Sequence, residues 1–312
     1  MPGLGRGGAR REAGPEAPAG PPGGGGRQAP GASRREDPAV PPPPVRLALL
    51  GGPRVALSPS PAMHEAALAL AGLQGSYLAF RVDPEGLPGI LPALLSLGFR
   101  GLNVTVPLKE RVIPLLCGLS DAAREIGAVN TLVATPVGWE GANTDAPGFA
   151  EAYLGGLPPC PALVLGAGGA ARAALQALLD GGFQPSVSAR REERAQLLAL
   201  EFSRGPDRAV GVVPWRSLGG PWRLVVNALS ASSPEELGAD PPRPRIQPGG
   251  LMADLNYGRP DCWFRSLADA SGAVFRDGIP MLACQARLSF ALWTGLRDVP
   301  LDPFILGAGK AP

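Results

Sequence analysis

The sequence predicts an α/β protein built of two consecutive α/β units, with C-terminal helices after them and a tail before them that does not fold. Three observations carry this expectation. From residue 45 onward, short apolar runs that end in glycine or a polar residue alternate with helix-forming segments. A glycine-rich string, Gly166-Ala167-Gly168-Gly169-Ala170-Ala171, joins one such run to a helix-forming segment. Residues 1–44 hold 11 Gly and 11 Pro and no aromatic residue, too little apolar material to offset the entropy of ordering the chain.

The first unit begins at Val45-Arg46-Leu47-Ala48-Leu49-Leu50, an apolar run closed by Gly51-Gly52, which reads as a strand. Residues 63–70 then read as helix, 77–82 as strand, 86–97 as helix, 101–105 as strand, 109–116 as helix and 128–134 as strand. The second unit opens on Ala162-Leu163-Val164-Leu165, a strand of the fully buried kind. A helix over 172–179 follows and stops at Gly181-Gly182. Residues 186–188, 224–227 and 250–254 read as further strands, the last two parallel and each ending in a polar residue. Residues 282–296 form a mostly apolar helix. In α/β folds the sites lie on loops at strand ends, so the polar residues there are the candidates.

Composition narrows the function. Of 312 residues, 45% are hydrophobic and 18% charged, enough for a real core. The formal charge of +2 resides in the tail, with six Arg against four acids, and leaves the rest balanced at 23 against 23. That balance argues against a nucleic-acid binder. No apolar window of about 18 residues occurs, so no membrane helix is expected. The N-terminus carries neither a secretory nor a twin-arginine signal pattern. Cys117, Cys160, Cys262 and Cys284 lie far apart with no CxxC pair, which fits reduced thiols in a cytoplasm and no metal site.

Among 29 basic residues 27 are Arg and two are Lys, beside one His and five Asn. In such a chain each Lys, His and Asn is a pointer. Lys310 falls in the terminal tail; Lys109 follows Gly101-Leu102-Asn103-Val104-Thr105-Val106-Pro107-Leu108, at the mouth of an α/β sheet. An amine there can lose and regain a proton, which guanidinium cannot do near neutral pH. Asn130, Asn143 and Asp145 sit at strand ends and serve equally as turn formers. Ser58 and Ser60 precede a helix, where one of them is a plausible N-cap. His64 reads as a packed residue near a helix start.

Gly166-x-Gly168-x-x-Ala171 matches the dinucleotide fingerprint, placed after an apolar strand and before a helix as that fingerprint requires. About 20 residues on, where an acid selects NAD, stands Ala189-Arg190-Arg191-Glu192-Glu193-Arg194. Arg190 and Arg194, four apart, suit the 2′-phosphate of NADP. The other reading of that segment is a solvated helix start.

Six motifs together resemble shikimate dehydrogenases: Ser58-x-Ser60-Pro61-x-x-His64, Asn103-Val104-Thr105-x-Pro107-x-Lys109, Gly127-Ala128-Val129-Asn130-Thr131, Asn143-Thr144-Asp145, the 166–171 string, and Gly278-x-x-Met281-Leu282-x-x-Gln285-Ala286. They stand in that family's order and spacing across about residues 46–297. The resemblance implies NADPH-dependent, reversible reduction of 3-dehydroshikimate to shikimate on the route to aromatic amino acids. It implies Lys109 and Asp145 as the catalytic pair. Ser58, Ser60 and Thr105 then hold the substrate carboxylate, and Asn130, Gln285 and, less closely matched, Tyr257 meet the ring hydroxyls. Gly166, Gly168, Gly169, Ala170, Arg190, Arg194 and Gly278 serve the cofactor. It also implies a substrate-binding domain over 45–146, a Rossmann-like NADP domain over 147–278 and returning helices over 279–312, with the site in the cleft. Its partners are small molecules, with no nucleic acid or membrane and a homodimer admissible.

The chain departs from the family pattern in places. Ala189-Arg190-Arg191 stands for Asn-Arg-Thr, Leu229 and Ser232 replace a Thr and a Gly after Asn227, and Tyr257-Gly258-Arg259-Pro260 is one residue longer than Tyr-x-Pro. Two alternatives share the expected chemistry or fold: a quinate/shikimate enzyme using NAD(P), and a shikimate-binding sensor without turnover. A methylenetetrahydrofolate dehydrogenase has a similar plan but not the serine-pair and lysine motifs.

Overall fold

The computed structural model describes residues 43–230, 243–258 and 262–309. Residues 1–42 of the tail, Lys310, Ser232 and Arg259-Pro260 lie outside the described residues.

Two six-stranded sheets organise the described residues. The first contains β1 (Val45–Gly51), β2 (Gly75–Arg81), β3 (Phe99–Val104), β4 (Gly118–Leu119), β5 (Thr131–Thr135) and β6 (Gly138–Ala142), in the order β2-β1-β3-β5-β6-β4. β1 pairs in parallel with β2 and β3, whereas β5 runs antiparallel to β3 and β6. The helices α1 (Ser60–Leu70), α2 (Leu87–Ser96) and α3 (Asp121–Ile126) connect these strands. A short helix α4 (Asp145–Phe149) runs into a π-helical turn, Ala150–Leu154, and leads to the second sheet.

The second sheet is parallel throughout: β7 (Pro161–Leu165), β8 (Gln184–Ser188), β9 (Gly211–Val212), β10 (Trp222–Asn227), β11 (Ile246–Asp254) and β12 (Val274–Arg276). Its order, β12-β11-β10-β7-β8-β9, reverses direction between β7 and β10, the switch point at which such sheets hold a ligand. α5 (Gly169–Asp180) and α6 (Glu192–Phe202) follow β7 and β8, and α7 (Trp263–Ser271) precedes β12. α8 (Ile279–Thr294) and α9 (Asp302–Ala308) return to the first sheet, where Ala283, Ala286, Phe290, Trp293 and Phe304 join Leu47, Leu49 and Met63 in one core. Trp293 Nε1 donates to the Leu132 carbonyl at 2.9 Å, pinning α8 to β5.

Several expectations need correction. Residues 109–116 are not a helix. After the single Val112 N–H to Leu108 carbonyl bond the chain makes only the 3₁₀ turn Ile113–Leu115, because Pro114 removes a donor and disfavours a helix before it. Residues 128–130 are loop, and the strand begins at Thr131. β6 was not legible, since Gly138, Glu140 and Gly141 dilute the alternation. α1 begins at Ser60, three residues before the apolar pattern starts. Arg190 precedes α6 and Arg194 lies in its first turn, so the two do not share one helical turn.

His64 is a packed residue of α1, and the packing is severe. Its ring stacks on Tyr77 at 4.3 Å and 5°, with Trp293 and Phe304 around it, and neither ring nitrogen has a partner. Burial lowers its pKa from 6.5 to about 3. The folded protein keeps it neutral while the unfolded chain takes a proton below 6.5, so stability falls as pH drops from 6.5 toward 3. The loss is about 1.4 kcal/mol per pH unit. Urea unfolding at pH 7.5 and pH 5 is expected to show a smaller acid loss in His64→Phe than in wild type, by about 2 kcal/mol. Equal losses in the two proteins would overturn this account.

Candidate active site

The site is built outward from Asp145, the first residue of α4. Asn143 sets that start: its Oδ1 accepts from Ala146 N at 3.1 Å and its Nδ2 donates to the Ala128 carbonyl at 2.9 Å. Asn143 is therefore a cap and a tie, the turn-forming role its sequence position also allowed. Asp145 is buried, and both its oxygens are engaged. Oδ2 meets Lys109 Nζ at 2.6 Å and Oδ1 accepts from Asn130 Nδ2 at 3.0 Å. The lysine is held by its backbone too, its carbonyl accepting from Val129 N at 2.8 Å.

Asn130 is the junction of the site. Its Nδ2 also lies 2.8 Å from Thr144 Oγ1 and 3.2 Å from Gln285 Oε1, and its Oδ1 accepts from Thr144 N at 2.7 Å. Gln285 comes from α8, where its Nε2 donates to the Leu282 carbonyl at 2.8 Å. It reaches Asn130 because Gly148 lets α4 and α8 touch: a Cβ there would stand 2.8 Å from Gln285 N. Beneath this junction Asn103, Thr131, Thr144 and Ser289 form a buried polar network, in which Asn103 Nδ2 donates to Thr131 Oγ1 and Ser289 Oγ. Asn103 supports the site from inside β3 and does not line it.

The serine pair stands at the start of α1. Ser58 Oγ accepts from Ser60 N at 3.3 Å and donates to Ser60 Oγ at 3.0 Å, so two hydroxyls meet at a helix start. Thr105 lies at the same sheet edge, its N bonded to the Leu50 carbonyl and its methyl against Gly51. Tyr77, on β2, donates to Asn103 Oδ1 at 2.8 Å. Burial raises its phenol well above the ordinary value; a hydrogen bond with Ser60 opposes the rise and nearby Tyr257 adds to it. Tyr257 comes from the second unit of the chain. It follows β11, where Asp254 Oδ1 accepts from Asn227 Nδ2, Asn256 N and Asn256 Nδ2 and shapes the turn.

The fingerprint glycines fit a dinucleotide. Gly166 has φ +118°, and a Cβ there would meet the Ala228 carbonyl at 2.8 Å, so only glycine makes this turn. Gly168 caps α5 with no side-chain partner, and a Cβ there would project into open space. This is a cradle that exposed helix N–H groups can offer to phosphate. Gly169 and Ala170 begin α5, and Gly169 packs on the stem of Lys109. Nearby at the end of β8, Ser188 Oγ is buried without a partner. Arg190 and Arg194 are exposed beside this sheet edge. Gly278, at the start of α8, lies against the Leu255 and Asn256 carbonyls and donates to the latter at 2.9 Å. Its glycine serves chain packing next to Tyr257.

Tyr77 and Ser289 were not singled out by the sequence, whereas Thr144 belongs to the Asn143-Thr144-Asp145 motif. Tyr77 and Ser289 are polar residues inside apolar stretches, and only their neighbours across the fold reveal them.

Residues 50–132 match the model of the shikimate dehydrogenase substrate binding domain, and residues 278–305 that of the shikimate 5′-dehydrogenase C-terminal domain. The chain is similar to a shikimate dehydrogenase (NADP(+)) of Thermus thermophilus, 44% identical over 260 residues covering 82% of this chain and 95% of the relative. That of Anaeromyxobacter sp. strain Fw109-5 is 43% identical over 256 residues, covering 79% and 90%. A crystal structure of shikimate 5-dehydrogenase from Thermus thermophilus in complex with NADP(H) and shikimate matches at a TM-score of 0.76 and 41% identity, over 86% of this chain and 100% of that one. Quinate dehydrogenase from Corynebacterium glutamicum in complex with NAD matches at 0.73 and 32%, over 85% and 98%.

Replacing Asn130 by Ala is expected to leave Thr144 N unbonded and Asp145 short of one partner. Urea unfolding should lose about 2–3 kcal/mol. A loss below about 0.5 kcal/mol, within the range of surface changes, would remove Asn130 from the centre of this network.

Proposed function

Because the chain belongs to the shikimate dehydrogenase family, we propose that it interconverts shikimate and 3-dehydroshikimate with NADP at the Lys109–Asp145 pair. The single observation that carries the site is the 2.6 Å contact between Lys109 Nζ and the buried Asp145 carboxylate, beside the glycine turn of a parallel sheet. When bound, NADP supplies the nicotinamide that takes or gives the hydride.

The residues divide the remaining work. In the direction of reduction, the substrate oxygen gains negative charge, and the Lys109 ammonium stabilises it and then donates the proton. In oxidation the neutral amine takes the hydroxyl proton. Asp145 accepts from Nζ and fixes its direction, and Asn130 in turn fixes Asp145. The hydroxyls of Ser58, Ser60 and Thr105 hold the substrate carboxylate. Asn130, Gln285 and Tyr257 meet its ring hydroxyls. On the cofactor side Gly166, Gly168, Gly169 and Ala170 receive the diphosphate at the start of α5, and Arg190 and Arg194 answer the 2′-phosphate. Leu229, in place of a polar residue, donates its N–H to Asn227 Oδ1 at 3.2 Å just after β10.

We assign substrate binding to 45–146, NADP binding to 147–278 and the returning helices to 279–312. The two sheets and the packing of α8 and α9 on the first one support that division. A cytoplasmic setting belongs to the same proposal and is supported by the free thiols of Cys117, Cys160, Cys262 and Cys284. Among the described residues no helix is long and apolar enough to cross a membrane.

Purified protein with shikimate and NADP⁺ is expected to generate NADPH absorbance, and to do so faster than with NAD⁺ or with quinate. Ligand binding without turnover in either direction would instead identify a sensor. Lys109→Ala is expected to lower kcat by about a thousandfold while KM for shikimate moves by a few-fold at most. Near-normal turnover in that variant would sink the proton-transfer assignment.

A further inference from the structure

The first two turns of α5 touch the catalytic lysine from two directions. At Gly169 a Cβ would stand 3.0 Å from Lys109 Cδ and 3.1 Å from its Cβ, so the stem of the lysine lies across the backbone that opens the helix. Three residues on, and hence on the same helix face, Arg172 reaches the loop that holds the lysine's backbone. Its Nε donates to the Ile126 carbonyl at 2.5 Å, and its Nη2 fills the space where a side chain on Gly127 would begin. The same guanidinium pairs with Glu201 of α6 and lies over the Phe202 ring, 5.5 Å from its centroid.

Ile126 ends α3, so its carbonyl is one of those a helix leaves without an internal partner. Gly127 follows in the left-handed conformation, φ +65°, and turns the chain into Val129 and Asn130. Val129 N holds the Lys109 carbonyl and Asn130 holds Asp145. The path from Arg172 to the reacting amine is thus Ile126, Gly127, Ala128, Val129, Lys109, each step a covalent link or a bond already described. The phosphate cradle at Gly166 and Gly168 opens the same helix. One rigid element therefore carries both the cofactor's seat and a brace on the lysine.

From this geometry we propose that Arg172 is a positioning residue for Lys109: it locks the cofactor helix to the 126–129 loop, so that amine and nicotinamide share one frame. The inference rests on the reading of Lys109 given above. Arginine suits the task because its fixed fork serves a carbonyl, a carboxylate and an aromatic face at once. The neighbouring Arg204–Glu125 pair links α3 to the segment after α6 without touching α5, and its side chains, 49% and 43% exposed, add little. A displacement of about 1 Å between reacting groups is enough to cost a hundredfold in rate.

The test is a double-mutant cycle in the full-length enzyme, reading kcat, both KM values and thermal melting for Arg172→Met, Lys109→Ala and the double variant. Arg172→Met is expected to lower kcat by about tenfold or more, with KM for shikimate and for NADP⁺ within about threefold. In the Lys109→Ala background the same change should cost less than about twofold, because the residue it positions is gone. Arg172→Lys, which keeps the charge but loses the Nε donor and the fork, should repeat the pattern, and Arg204→Met should leave kcat unchanged. A normal kcat in folded Arg172→Met overturns the proposal, as does a tenfold loss that persists without Lys109. If Arg172→Met fails to fold, Arg172→Lys decides, and an unaltered kcat there overturns it. A wild-type enzyme inactive on shikimate and NADP⁺ defeats the functional reading itself. A Lys109→Ala enzyme of normal kcat defeats the lysine assignment and this inference with it, whereas persistence of the Arg172 effect alone defeats only the inference.

Discussion

A carboxylate as deeply buried as Asp145 is tolerable only if its charge is paired and its oxygens are bonded, and the active centre is organised to meet that condition. Lys109 takes one oxygen and Asn130 the other. Asn130 must then be held itself, and this is done by Thr144, Gln285 and the network over Asn103, Thr131 and Ser289. A buried polar network of this kind is costly when incomplete and specifying when complete. It fixes where β5 begins, where α4 begins and how α8 lies on both.

That constraint also explains the chain's path. α8 comes after the second sheet yet packs into the core of the first, bringing Gln285 and Ser289 to residues that precede them by more than 140 positions. The second sheet is thereby tied to the first through the site itself, with α4 and its π-helical turn on one side and α8 on the other. The glycine turn after β7 faces the lysine across this junction. The glycine turn and the Lys109–Asp145 pair are neighbours because α5 packs on the stem of Lys109 through Gly169 and on the 126–129 loop through Arg172.

Much of the site was legible because its chemistry needs residue types the chain otherwise avoids. Lys109 stands out among 27 arginines, and the asparagines mark the turns and the network. The glycine string was readable because Gly166 needs a conformation that other residues resist. Residues 109–116 and 128–130 were read too regularly, since apolar content there serves burial of a loop and not a helix or strand period. Tyr77, Ser289 and Arg172 were invisible for a different reason. Each looks ordinary in its own segment, and its role comes from partners 26 to 186 positions away. The pairing of Arg190 with Arg194 assumed a helix that begins two residues later than it would need to.

By itself the sequence determined the fold class, the succession of two α/β units and the fingerprint turn and marked Lys109 as a candidate, because strand periods, glycine turns and rare residue types are local properties, whereas Asp145 read equally as a turn former. The tertiary structure alone decided that Asp145 is clasped by Asn130, that Gln285 reaches Asn130 from α8, that His64 is sealed among aromatic rings, and that Arg172 braces the 126–129 loop. Those are contacts between distant segments. Their energies depend on burial and on distances of a few ångströms, which exist only once the two sheets and the returning helices have packed.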